Sequence, residues 1–120
     1  MLVESDRGVR KILERILFSR LGWPIMAYAS SDEAVDALRL GARPDVIVIE
    51  APLQKEKLIR WRNERYPQLP VIAFSVAKQV LTIVFGEKAS VRAYSPTAIA
   101  DTIVEVLGRQ AADARSEQSA

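Results

Sequence analysis

The chain has 120 residues, 49% of them hydrophobic and 27% charged, with a formal net charge of +2; this is the composition of one globular domain with a single core. It contains no cysteine and no histidine, which excludes disulfides and thiolate metal sites and removes the commonest general base and metal ligand. There is no polybasic run, no membrane-length apolar run and no signal-peptide layout, so neither nucleic acid nor membrane is an expected partner, and the expected location is the cytoplasm.

Met1-Leu2-Val3 is a short apolar segment that runs into Glu4-Ser5-Asp6, a polar cluster suited to capping a helix. The helix that follows carries Val9, Ile12, Leu13, Ile16, Leu17 and Leu21 at three- and four-residue intervals and ends at Gly22. Pro24 to Ala29 is the next candidate strand. Ser30 and Glu33 then stand at capping-box spacing before Ala34, Val35, Ala37 and Leu38, and Gly41 closes that helix.

Pro44-Asp45-Val46-Ile47-Val48-Ile49-Glu50 is the stretch around which the rest is arranged. Val and Ile pack well on a pleated surface. With no polar residue alternating among them, both faces of this strand are expected to be covered, as at the centre of a parallel sheet. Glu50 stands at its carboxyl end, where open parallel sheets bind ligands, and Ala51-Pro52 follow.

A short, charged helix around Lys57-Leu58-Ile59-Arg60-Trp61 stops at Tyr66-Pro67. Leu69 to Ser75 is a second buried-strand pattern, ending on a hydroxyl. Val80 to Phe85 is almost wholly apolar and β-branched, and its periodicity fits helix and strand alike. Gly86-Glu87-Lys88 is a turn, Ser90 to Tyr94 the last strand, and Ser95-Pro96 opens an amphipathic helix with Ile99, Ile103, Val104 and Leu107. This gives one domain over residues 1–109 and, from Gln110 to Ala120, a small, polar tail expected to fray or be disordered. The alternation of strand and helix patterns implies an α/β fold with right-handed crossovers. The expected form is a flavodoxin-like, doubly wound, five-stranded parallel sheet of order 2-1-3-4-5 with helices on both faces.

With Glu4-Ser5-Asp6, a strand ending on Glu50, Leu69-Pro70-Val71-Ile72 running to Ser75, and Ser95-Pro96 opening the last helix, residues 2–108 resemble the receiver domain of bacterial two-component response regulators. Members of that family take a phosphoryl group from a histidine kinase onto an aspartate at the end of the third strand. An acid pair helps to hold magnesium, and a hydroxyl and a lysine bind the phosphoryl oxygens. The resemblance places the acceptor position on Glu50, the acid pair on Glu4 and Ser5, the hydroxyl on Ser75 and the lysine on Ser95; only the hydroxyl is retained in kind. The family's switch aromatic falls near Arg92, with Tyr94 expected to point to the other face.

These replacements fall on different components of one reaction. A glutamate moves the nucleophile on the roughly 1 Å scale at which misplacement costs about a hundredfold. Octahedral magnesium needs compact oxygen ligands, and Ser95 lacks the charge that a lysine gives a phosphoryl oxygen. The expectation is a pseudo-receiver: not an enzyme, not phosphorylated on aspartate, holding no cofactor or metal, and acting through contacts with a protein partner such as a kinase or downstream regulator. Glu50 is then either a fixed mimic of the phosphorylated state, with Ser75 donating to it, or a solvated strand-end acid, the reading preferred here. The structural alternatives for Glu4, Asp6 and Ser75 are helix capping and a favourable place in the helix dipole. Trp61, among Arg60, Arg62 and Arg65, is either an exposed binding anchor or packed on its own helix.

Leu81, Val84, Phe85 and Arg92 are expected at a protein contact, a homodimer being one form of it, because the apolar 80–85 segment lacks a polar face. Two rival functions remain: a working phospho-accepting receiver in a phosphorelay, and a small flavodoxin-like nucleotide binder. The second is disfavoured by strand-to-helix turns without a glycine-rich phosphate cradle.

Overall fold

A computed structural model describes residues 1–50, 56–86 and 88–108 in full, and the backbone of residue 55 and of residues 109–119. Ala51-Pro52, Glu87 of the expected turn and Ala120 lie outside the described residues. The elements are β1 (Leu2–Val3), α1 (Arg7–Leu21), β2 (Ala27–Tyr28), α2 (Ser31–Arg39), β3 (Ile47–Glu50), α3 (Lys55–Arg65), β4 (Val71–Ser75), β5 (Val80–Phe85), β6 (Lys88–Ala93) and α4 (Pro96–Ser119). The backbone of α4 carries the helix past Gln110, where the composition changes.

The helix boundaries follow local chemistry. Asp6 caps α1 by accepting from the Val9 amide at 3.0 Å, and Gly22 ends it with φ 70°, a conformation without penalty only for glycine. At α2 the Ser30 hydroxyl caps the helix by accepting from the Glu33 amide, and the Glu33 carboxylate reaches back one residue beyond the capping-box position, to the Ala29 amide.

The strands form one six-stranded sheet of order β2-β1-β3-β4-β5-β6. β2, β1, β3 and β4 are parallel, whereas β5 runs antiparallel to β4 and β6 antiparallel to β5. The expected five-stranded, wholly parallel sheet is therefore corrected. The α/β class holds, with helices on both faces, but the sheet is mixed and gains a strand where a fourth crossover helix was expected.

The reason lies between Ser75 and Val80. Parallel strands need a crossover of a dozen or more residues, and only four residues separate β4 from β5. The Ser75 hydroxyl accepts from the Lys78 amide at 3.1 Å, and Gln79 takes φ 55°, which reverses the chain. Val80, Ile83 and Val84 then favour a pleated strand over a helix. Gly86, at φ 63°, suits the tight turn into β6. β6 again runs in the direction of β4, so the last strand keeps its expected sense but lies one place further out.

The continuous apolar run of β3 has both faces covered. Val48 joins Leu2, Ile72, Phe74 and Leu81 under α1 and α4, through Leu13, Leu17, Ile99 and Ile103. Ile47 and Ile49 join Val3, Val71 and Ala73 under α2 and α3, through Val35, Leu38, Leu58 and Trp61. Trp61 is only 5% exposed, packs beside Tyr66 with ring centroids 5.5 Å apart, and has Arg65 over its ring. The exposed-anchor reading of Trp61 is therefore corrected: its face of α3 is a core face. Trp23 is partly exposed at the rim of a cavity of about 390 Å³ that opens at the amino-terminal ends of the strands.

Arg62 is also buried. Its Nε donates to the Leu69 carbonyl at 2.7 Å, and both terminal nitrogens donate to the Gly86 carbonyl. This fork ties α3 to the start of β4 and to the β5–β6 turn.

Candidate functional site

Strand register decides which side chains meet at the carboxyl edge of the sheet. Side chains two apart on a strand share a face. Leu2 stands opposite Val48, and Glu50 opposite Phe74. Glu4 and Glu50 are therefore carried to the α1/α4 face at the ends of β1 and β3. Tyr94, just beyond β6, reaches the same place: its ring stacks on Phe74 with centroids 5.7 Å apart and planes 14° apart.

Tyr94 was expected on the opposite face from Arg92, and this is corrected. The two residues are separated by two positions, and Arg92 pairs with Leu81, whose side chain lies in the α1/α4 core. Tyr94 is thus the site residue that sequence reasoning missed. The i, i+2 spacing was the signal that could have found it.

Glu4 is fully buried. Its Oε1 accepts from the Asp6 amide at 2.9 Å, and its backbone carbonyl accepts from Arg10. Its Oε2 is buried with no hydrogen-bond partner, a costly arrangement for an ionised carboxylate. Burial first, then the facing Glu50 carboxyl, which can accept from the protonated form of Glu4, pushes the Glu4 pKa up to about 7, with the Glu50 and Asp6 charges adding to the rise and the Asp6 amide opposing it. A proton on Glu4 resolves the difficulty by letting a carboxylic O–H donate toward Glu50. Burial and the charges of Glu4 and Glu50 also raise the pKa of the Tyr94 phenol. The crevice therefore joins two carboxyl groups and a neutral phenol.

The other expected site residues are placed differently. Ser5 is exposed. Ser75 lies with Val71 and Ala73 on the α2/α3 side of β4, away from Phe74 and Glu50, and its hydroxyl is engaged in the β4–β5 turn. Donation from Ser75 to Glu50, which the phosphorylation-mimic reading invoked, is absent. Ser95 accepts from the Ala98 amide at 3.0 Å and so caps α4. Among the described residues, no group of three or more Asp, Glu, His or Cys side chains is placed to hold a metal ion.

The four residues expected at a protein contact do not share a surface. Leu81 is fully buried in the core and cannot meet a partner. Val84 packs at the margin of the α2/α3 core, while Arg92 is on the α1/α4 face, where both of its terminal nitrogens bind the Glu105 carboxylate, one at 2.7 Å. Phe85 is half-buried at the turn.

No family model, curated protein or solved structure matches the chain. Among the described residues no helix is long and apolar enough to cross a membrane.

Proposed function

We propose that this chain is a pseudo-receiver: a signalling module with the flavodoxin-like order retained in its first four strands, working by protein–protein recognition and not by aspartyl phosphorylation. One observation carries the reading. Where a receiver would hold magnesium between carboxylates, Glu4 is buried against Glu50 with an orphaned oxygen that calls for a proton. A proton satisfies this pair in place of a cation. Of the two hydroxyls that would serve a phosphoryl group, that of Ser75 accepts from the Lys78 amide in the β4–β5 turn, on the sheet face away from Glu50, and that of Ser95 accepts from the Ala98 amide at the start of α4. The partner is a protein, a kinase or a downstream regulator, and no catalytic step is assigned to the chain.

The test is incubation with acetyl phosphate and magnesium, followed by intact-mass measurement and by NMR titration of the Glu4, Glu50 and Tyr94 resonances. The expected result is no phosphoryl adduct and no saturable magnesium shift. A stoichiometric adduct on Glu50 overturns the proposal in favour of a working receiver.

A further inference from the structure

The two edges of the sheet are built differently. β2 is two residues long and follows Pro24, which is how sheets blunt an edge. β6 is six residues long and contains no proline. Its free side can be assigned residue by residue. The Tyr94 amide donates to the Gln79 carbonyl, so the pairs in phase with it, Leu81–Arg92, Ile83–Ser90 and Phe85–Lys88, are the hydrogen-bonded pairs of the β5–β6 ladder. Ala89, Val91 and Ala93 therefore turn their N–H and C=O groups outward. Among the described residues no backbone partner meets them.

The side chains of these same three residues lie opposite Val84, Thr82 and Val80. They project on the α2/α3 side of the sheet, beyond the reach of either helix: all three are exposed, Val91 to 67%. An open hydrogen-bonding edge and an uncovered, uncharged β-surface thus coincide.

We propose that the partner of this edge is a second copy of the chain, paired β6 to β6 in antiparallel sense about a two-fold axis at Val91. Charge selects the register. Centring on Ser90 sets Lys88 directly opposite the partner's Arg92, and centring on Arg92 sets that residue against itself; like charges so placed are destabilising. Centring on Val91 sets Arg92 opposite Ser90 and Lys88 opposite Tyr94. Each Arg92 then has the partner's Arg92 and Lys88 only as diagonal neighbours, and is already paired with Glu105 of its own chain. This register also joins the most outward groups, Ala89 with Ala93 on each side and Val91 with Val91. It continues the sheet through both copies as a self-complementary contact.

A six-residue edge buries less than the roughly 800 Å² per partner of a standard interface, so a micromolar dimer is expected. The inference rests on the edge alone and stands or falls apart from the signalling role proposed above.

Sedimentation velocity across the micromolar range tests it. Wild type should pass from monomer to dimer. Val91→Pro removes an outward N–H that has no use in the monomer, so it should weaken the dimer about tenfold or more while leaving the circular dichroism spectrum intact. Cross-linking tests the register, since the chain has no native cysteine. Val91→Cys, on the axis and directly opposite its copy, should oxidise to a covalent dimer faster than Ser90→Cys, which is placed diagonally. A wild-type chain that stays monomeric at high micromolar concentration overturns the inference, as does a dimer indifferent to Val91→Pro. Equal cross-linking of the two cysteine variants overturns the register.

Discussion

Both terminal nitrogens of Arg62 donate to the carbonyl of Gly86, each at 3.2 Å, from a helix twenty-odd residues earlier in the chain. The same guanidinium holds the Leu69 carbonyl. Burial lowers its pKa, but the group stays charged at any accessible pH. Replacing Arg62 with Met fills similar space yet leaves two carbonyls without a donor. The expected loss is about 2–4 kcal/mol, read as a lower urea midpoint with an unchanged slope. Arg62→Lys should recover only part of it, because a single nitrogen cannot stand at the three positions from which Nε and both terminal nitrogens donate.

The Glu4 carboxyl makes the fold sensitive to pH. In the unfolded chain it ionises near the ordinary glutamate value of 4.5, and in the folded protein near 7. Between these values the native state binds more protons than the unfolded state, so this group's stabilisation falls as pH rises and is lost above about 7. The loss is on the order of 3 kcal/mol. Glu4→Gln keeps an acceptor for the Asp6 amide and supplies a permanent donor toward Glu50. It should flatten the stability profile between pH 5 and pH 8 and raise stability at the upper end, measured by urea titration at each pH. A wild-type profile that rises across that interval contradicts the burial and pairing assigned to Glu4.

Trp61 and Trp23 offer an internal comparison. Trp61→Ala empties a site in the α2/α3 core and should cost about 3–5 kcal/mol, whereas Trp23→Ala, at a partly exposed rim, should cost under about 1 kcal/mol. Acrylamide should quench Trp23 readily and Trp61 poorly. Equal quenching of the two would restore Trp61 as a surface anchor.

Ser95 holds a structural post at the start of α4. Its hydroxyl accepts from the Ala98 amide and lies 3.3 Å from the Thr97 hydroxyl, so Ser95→Ala should lower stability by about 1 kcal/mol. The mass spectrum after acetyl phosphate treatment should be as blank as that of the wild type.

Much of the fold was legible because it is written in period and composition: the unbroken Val46–Ile49 run, the Ser30 cap and the Gly22 stop each act over a few residues. The 80–85 segment was not, since an apolar run has no polar face from which to read a period. The clue lay in its surroundings: four residues before it, and Gly86 directly after it. The burial of Trp61 was hidden by a charge, because Arg62 shares its face with Leu58 and Trp61 and looks like solvent exposure until its carbonyl partners are known. The candidate site suffered in the same way. Glu4 reads as a surface acid, yet it is buried, and only the register shows that Glu50 and Tyr94 converge on it.

The reversal after Ser75 also bears on how the chain finds its shape. A crossover helix would have brought the last strand to its neighbour only after a long loop had closed, whereas the path β4–β5–β6 is a meander in which each strand zips onto the one just made. Short-range closure is entropically cheaper and faster. The carboxyl-terminal half of the sheet is therefore placed to nucleate locally, and the parallel half, whose pairings span α1, α2 and α3, is left to set the folding rate.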